Sequence, residues 1–188
     1  SDSALIHHKG DLVHSGLGGL DTSYTGKGVV IGIVDQGIDY NHPDFQNPDG
    51  STRVIRYWDH TVNDSNHPNY YTLYEKGIVW DSSAINNGTC SSLEVSSAHG
   101  STVSGMAASN GLANGTNKGF APEADLIVVE SDFGQDVYNW KLSIADACDY
   151  IFKVADSLNK PAVINLSLGD YYGTVSYTHL TLPTNGEV

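Results

Sequence analysis

Apolar positions in this chain gather into a few short, unbroken runs, separated by long polar stretches rich in glycine, asparagine and aspartate. The most organised run is Val29-Val30-Ile31-Gly32-Ile33-Val34, which stops at Asp35. A run without polar alternation suits a strand covered on both faces, as in a parallel sheet between helices. Gly26 and Gly28 before it and Gly37 after it mark turns. Asp35 is thereby predicted at the C-terminal end of a central strand, the edge where open α/β sheets hold their ligands. The plainer role for such an aspartate is to cap the following turn.

The other runs extend the same architecture. Arg53-Val54-Ile55-Arg56-Tyr57-Trp58-Asp59 alternates in part like a strand, Leu126-Ile127-Val128-Val129 predicts a second buried strand, and residues 162–166 predict a further one. From Asp136 a helical period sets Ile144, Ala147, Cys148, Ile151, Phe152, Ala155 and Leu158 on one stripe, and Asn159-Lys160-Pro161 ends that helix. A strand-helix-strand order predicts a right-handed crossover onto a parallel sheet. The small residues of His99-Gly100-Ser101-Thr102-Val103-Ser104-Gly105-Met106-Ala107-Ala108 predict a tightly packed helix, with Gly105 allowing close backbone approach. His99 then lies near the helix N-terminus, where the dipole disfavours imidazolium.

Between these runs the chain reads mostly as surface. Residues 1–20 are polar, and the spacing of His7, His8 and His14 fits a surface leader better than a metal site. Pro43 limits any helix in Asp39-Tyr40-Asn41-His42-Pro43-Asp44-Phe45. Asp35, Asp39, His42 and Asp44 could be drawn as a metal cluster, but carboxylates this close on a turning loop more often cap backbone amides. Residues 46–97 form a long excursion with a turn at Asn47-Pro48-Asp49-Gly50 and a serine-rich loop from Ser82 to Ser97. Its Tyr70, Tyr71, Tyr74 and Trp80 either line a binding surface or cover the domain's own flank. Asn87-Gly88-Thr89 and Asn114-Gly115-Thr116 fit the N-glycosylation pattern.

Composition narrows the function classes. The 188 residues suit one domain or part of a larger one, and 39% hydrophobic content with 20 glycines indicates a loop-rich folded protein. Nine basic against 22 acidic residues give a formal charge of −13, which opposes binding to a nucleic-acid backbone. No apolar run reaches membrane-spanning length and no signal peptide is visible. Cys90 and Cys148 make no disulfide framework; Cys148 falls on an apolar helical face as a buried thiol, and one bridge to Cys90 stays open.

A strand-end aspartate together with a helix-start histidine changes the meaning of both, since an aspartate-oriented imidazole is the machinery of a general base. At this point the residues carry a specific resemblance. Asp35-Gln36-Gly37-Ile38-Asp39 with His42-Pro43-Asp44-Phe45 resembles the catalytic-aspartate block of the subtilisin-like serine proteases, the subtilases (peptidase S8), and His99–Ala108 resembles their catalytic-histidine block. Gly119-Phe120-Ala121-Pro122-Glu123-Ala124-Asp125-Leu126 and Val163-Ile164-Asn165-Leu166-Ser167-Leu168-Gly169 follow in the expected order. Gln36 stands where the family usually has a small hydroxyl residue, and Ser101-Thr102 replace the usual Thr-His. Asp35 and His99 lie 64 residues apart, which is long for the family and resembles subtilases of anaerobic, gut-type bacteria.

The resemblance implies a three-layer α/β fold with a mostly parallel sheet flanked by helices, and a serine endopeptidase outside the cytoplasm, secreted or in the cell envelope, acting on protein or peptide substrates. It implies Asp35 and His99 as catalytic residues, hydrogen bonded to each other, and Ser167, Leu168 and Gly169 as an exposed backbone edge that pairs with substrate, with Ser131-Asp132-Phe133-Gly134 as an opposite wall. It calls for no catalytic metal and no cofactor; it leaves structural calcium open, which the sequence does not show, and the oligomeric state unknown. Family triads run Asp, His, Ser, yet no Gly-Thr-Ser nucleophile segment or Ala-Gly-Asn oxyanion block occurs here. Residues 1–174 are therefore expected to be the N-terminal part of a catalytic domain whose C-terminal part is missing. Residues 175–188 resemble translated adapter read-through and are expected to stay out of the core. Ser101 and Ser104 lie near His99 but on its own helix, where a nucleophile would lack a separate oxyanion site. Two other readings remain: a non-catalytic peptide-binding module, and a metal-dependent hydrolase using Asp35, Asp39, His42 and His99.

Overall fold

The computed structural model describes residues 2–94, 98–134 and 137–169. Among them, β1 (Val30–Asp35), β2 (Val54–Asp59), β3 (Ile78–Asp81), β4 (Asp125–Glu130) and β5 (Ala162–Asn165) form one sheet in the order β3-β2-β4-β1-β5. β1 pairs in parallel with β4 and β5, β4 pairs in parallel with β2, and β3 runs antiparallel at one edge. Every residue of β1 is buried, as its unbroken apolar run requires.

Helices cover both faces. On one, α4 (His99–Ala108) and α3 (Ser82–Asn86) join a core of Ile31, Ile33, Ile38, Phe45, Tyr57, Leu126 and Val128. On the other, α5 (Val137–Ser157) sets Ala147, Tyr150, Ile151 and Ala155 against Val30, Val34, Trp58, Ile127 and Val129. Gly32 lets α5 lie close to β1, because a Cβ there would come within 2.7 Å of the Ile151 side chain. This is the three-layer, mostly parallel α/β arrangement that the runs predict.

Five local expectations are corrected. Residues 1–20 contain α1 (Asp2–His7) and α2 (Gly10–His14), which tuck in Leu5 and Gly10 and bond His14 Nε2 to the Phe120 carbonyl at 2.8 Å. The serine-rich stretch after Asp81 begins as α3, because the Asp81 carboxylate caps it by accepting the Ala84 amide at 2.8 Å. The buried stripe of α5 is rotated: Tyr150 is buried against Trp58 and Tyr71, whereas Phe152 is 52% and Leu158 44% exposed. Cys148 is only half-buried and, like Cys90, a free thiol. Finally, Gly105 faces open space; the close approaches belong to Gly100, discussed below, and to Gly119, whose Cβ would lie 2.6 Å from the Ala108 amide nitrogen.

The excursion is held down at two places. Trp58, Tyr71, Tyr74 and Tyr150 stack with centroid separations of 4.8 to 5.6 Å, so these aromatics cover the domain's own flank. Arg53, 6% exposed, donates to the carbonyls of Asp44 (3.0 Å), Ala108 (2.6 Å) and Ala124 (2.7 Å), tying β2 to the end of α4 and the start of β4. The segment 175–188, Ser96, Ser97 and Asp136 lie outside the described residues. Replacing Arg53 by Met should leave those three carbonyls without their donor and lower stability by roughly 3 kcal/mol. A denaturant titration would read this as a lower midpoint at unchanged slope.

Candidate active site

Parallel pairing fixes where the site lies. Because β4, β1 and β5 are adjacent and parallel, residues after Glu130, Asp35 and Asn165 all leave the sheet at its C-terminal edge. Asp35 therefore sits between the segments that begin at Ser131 and Leu166. Its side chain is wholly buried and accepts the Gln36 amide at 2.8 Å. That bond comes from the backbone of residue 36 and does not depend on which side chain stands there.

α4 brings the histidine. His99 Nδ1 lies 2.8 Å from Asp35 Oδ1 and 3.0 Å from Oδ2, and the imidazole is about half exposed, at 52%. Docking this close depends on two glycines. Gly37 carries φ 88°, the left-handed region that favours glycine, and a Cβ on Gly100 would land on the Gly37 carbonyl oxygen.

The start of α4 has no capping side chain of its own, since Ala98 occupies that position. Glu94 does the work from upstream: its two carboxylate oxygens accept the amides of Gly100 at 2.8 Å and Ser101 at 3.1 Å. The Asp35 hydrogen bond, then its charge, and Glu94 to a lesser degree push the His99 pKa above its ordinary value. The dipole effect predicted from sequence is thus outweighed, because a full charge in contact exceeds the partial charge of a helix end.

The remaining candidates fall into place differently. Ser167 and Gly169 are exposed, Leu168 is half-buried, and none of the three belongs to a strand ladder. Ser131 is buried; its amide donates to the Asp35 carbonyl at 2.7 Å and its hydroxyl accepts Trp140 Nε1 at 3.1 Å. Phe133 is exposed and stacks on Trp140 at 5.6 Å. Ser101 Oγ accepts the Asp39 amide at 2.8 Å, and Ser104 is fully buried.

The drawn metal set does not converge. Asp39 Oδ1 accepts the Asn41 amide, His42 Nδ1 accepts the Asp44 amide, and Asp44 accepts Ser109 Oγ and the Ala113 amide. Among the described residues no three His, Cys, Asp or Glu side chains meet as a metal would need. Nor does the cavity of about 580 Å³ lined by Lys27, Arg53, Asp125 and Lys160 bear on the site, since it opens at the N-terminal edge of the sheet.

Sequence reasoning missed Glu94, Glu130 and Tyr57. Glu130 carried the same signal as Asp35, a carboxylate closing an apolar run, and is its register partner on β4.

With this geometry in hand, the chain matches the subtilase family (peptidase S8) over residues 26–185, and it belongs to that family. It is 34% identical over 107 residues to the minor extracellular protease Vpr of Bacillus subtilis (strain 168), covering 57% of this chain and 10% of that protein. It is 29% identical to the PII-type proteinase of Lacticaseibacillus paracasei over 80% of this chain and 8% of that protein. With subtilisin of Bacillus sp. (strain TA39) it shares 31% over 77% of this chain and 28% of that protein. This chain thus spans less than a third of each of these relatives. The CspB protease of Clostridium perfringens has the same fold with a TM-score of 0.64 at 24% identity, over 80% of this chain and 31% of that one. The S41 psychrophilic protease superposes with a TM-score of 0.54 at 28% identity, over 88% and 44%.

Two outcomes follow from the geometry. Because both leading causes of the raised His99 pKa come from Asp35, Asp35→Asn should lower the imidazole titration midpoint, read by NMR of the His99 ring. The stability this pair contributes is fully present below the ordinary histidine value of 6.5 and is lost as pH rises through the higher folded value. Gly100→Ala should cost roughly 1–3 kcal/mol through overpacking against Gly37 and weaken the Asp35–His99 bond. The checks are a denaturant midpoint and the low-field Nδ1 proton resonance.

Proposed function

We propose that the protein carrying this chain is a serine endopeptidase working outside the cytoplasm, with His99 as its general base. The observation that carries this is the pairing of His99 Nδ1 with both oxygens of a fully buried Asp35. In that arrangement Nε2 takes the proton from a nucleophilic hydroxyl and returns it to the leaving amine, while Asp35 stays ionised and steadies the imidazolium. The hydroxyl belongs to residues outside this chain, whose sequence holds no Gly-Thr-Ser segment. Membership of the subtilase family supports a serine-protease function, and a relative named as extracellular supports the location. Among the described residues no helix is long and apolar enough to cross a membrane.

Substrate is a protein or peptide held in extended form. Ser167-Leu168-Gly169 offers unladdered backbone on one side of Asp35 and Ser131-Asp132-Phe133-Gly134 on the other, and main-chain pairing along either adds a strand.

The test compares the whole gene product with the 188-residue chain. The whole protein should cleave casein or a peptide substrate and be blocked by a serine-directed reagent; His99→Ala and Asp35→Ala should each lower kcat by roughly 10⁴-fold or more. The 188-residue chain alone should show no such cleavage. Robust proteolysis by that chain, abolished by Ser101→Ala, would overturn the assignment, and peptide binding without turnover by the whole protein would replace it with a binding module.

A further inference from the structure

We infer that Glu130 is a positioning residue for His99: it seats the Gly37 turn against the His99 helix, with a grip that depends on whether its own carboxyl carries a proton. The inference builds on the general-base reading of His99 above.

The geometry runs as a chain of contacts. Glu130 ends β4 in register with Asp35 and is 9% exposed. The hydroxyl of fully buried Tyr57 donates to its Oε2 at 2.7 Å. These two side chains occupy the space above Gly37, where a Cβ would meet the Tyr57 hydroxyl and lie 3.1 Å from the Glu130 carboxyl. The Gly37 carbonyl, in turn, abuts Gly100, the residue after His99. The amide of Ser131 also donates to the Asp35 carbonyl, so a movement of residue 130 is passed to both members of the pair.

Several groups bear on the Glu130 carboxyl: Tyr57 and Asp59 from β2, and Glu94 from the segment before α4; Asp35 is its backbone register partner on β1. Its other backbone neighbour is His60, whose amide donates to the Glu130 carbonyl at 2.9 Å. Burial first, then the charge of Asp59, push the carboxyl up to about 7, with Glu94 adding and the Tyr57 hydrogen bond opposing. The proton therefore comes and goes at neutral pH. Below that point a neutral carboxyl sits quietly among acidic neighbours; above it a buried charge faces Asp59 and Glu94, and Glu94 is the group that caps the His99 helix. Stability from this group is fully present below the ordinary value of 4.5 and is lost as pH rises through about 7.

The experiment follows the amide resonances of Gly37 and Gly100 and the His99 ring in the isotope-labelled protein, from about pH 5 to about pH 9. Wild type should show an inflection near about 7 at the two glycines and His99, beyond the imidazole's own titration. Glu130→Gln should remove that inflection and leave the imidazole's titration in place. Tyr57→Phe, which deletes the bond that holds the carboxyl down, should move the inflection upward by about half a pH unit or more. Identical curves in wild type and Glu130→Gln would overturn the inference. Should Glu130→Gln fail to fold, an unmoved inflection in Tyr57→Phe would overturn it instead. The readout needs no catalysis, so an inflection that responds to both variants in a whole gene product without peptidase activity supports Glu130's role and faults only the general-base reading.

Discussion

Burial of the Asp35 carboxylate is the constraint on which the rest of the site depends. A wholly buried charge on a central strand is tolerated only when its lone pairs find donors, and here the donors are the Gln36 amide and His99 Nδ1. Both require the chain to double back tightly. Gly37 must turn with positive φ, and α4 must approach until Gly100 abuts that turn. The electrostatic demand of one aspartate thus sets the backbone at residues 37 and 100.

A helix pressed so closely against a sheet edge needs its own fastening. Glu94 satisfies the amides of Gly100 and Ser101, Ser101 accepts the Asp39 amide, and Gly119 fits under the last turn near Ala108. At the far end Arg53 gathers the carbonyls of Asp44, Ala108 and Ala124. In a chain with few cations, a buried guanidinium spent wholly on backbone carbonyls acts as a structural clamp.

The same sheet edge is crowded with acid. Asp35, Glu130 and Asp59 stand in register on adjacent strands. They are kept apart in chemistry by their partners: Asp35 by an imidazole, Asp59 by Thr61 and Ser92, and Glu130 by a tyrosine hydroxyl. For Glu130, burial and then the charge of Asp59 outweigh the Tyr57 hydrogen bond and raise its carboxyl pKa.

What the sequence determined by itself was the sheet and the pair. Unbroken apolar runs ending at Asp35 and in the segment up to Val129 announce buried parallel strands, and small residues after His99 announce a closely docked helix, because strand burial and helix docking are written in local composition. The ordered motifs around Asp35 and His99 identified the family for the same reason. Tertiary structure alone decided which glycine takes the close contact, Gly100 and not Gly105, since open space on one helix face is invisible in a helix's own sequence. It also decided that Tyr71 and Tyr74 stack into a flank with Trp58, and that α5 buries Tyr150 while exposing Phe152. The rise in the His99 pKa belongs to the same group: it depends on distances to Asp35 and Glu94, which only the assembled sheet edge creates.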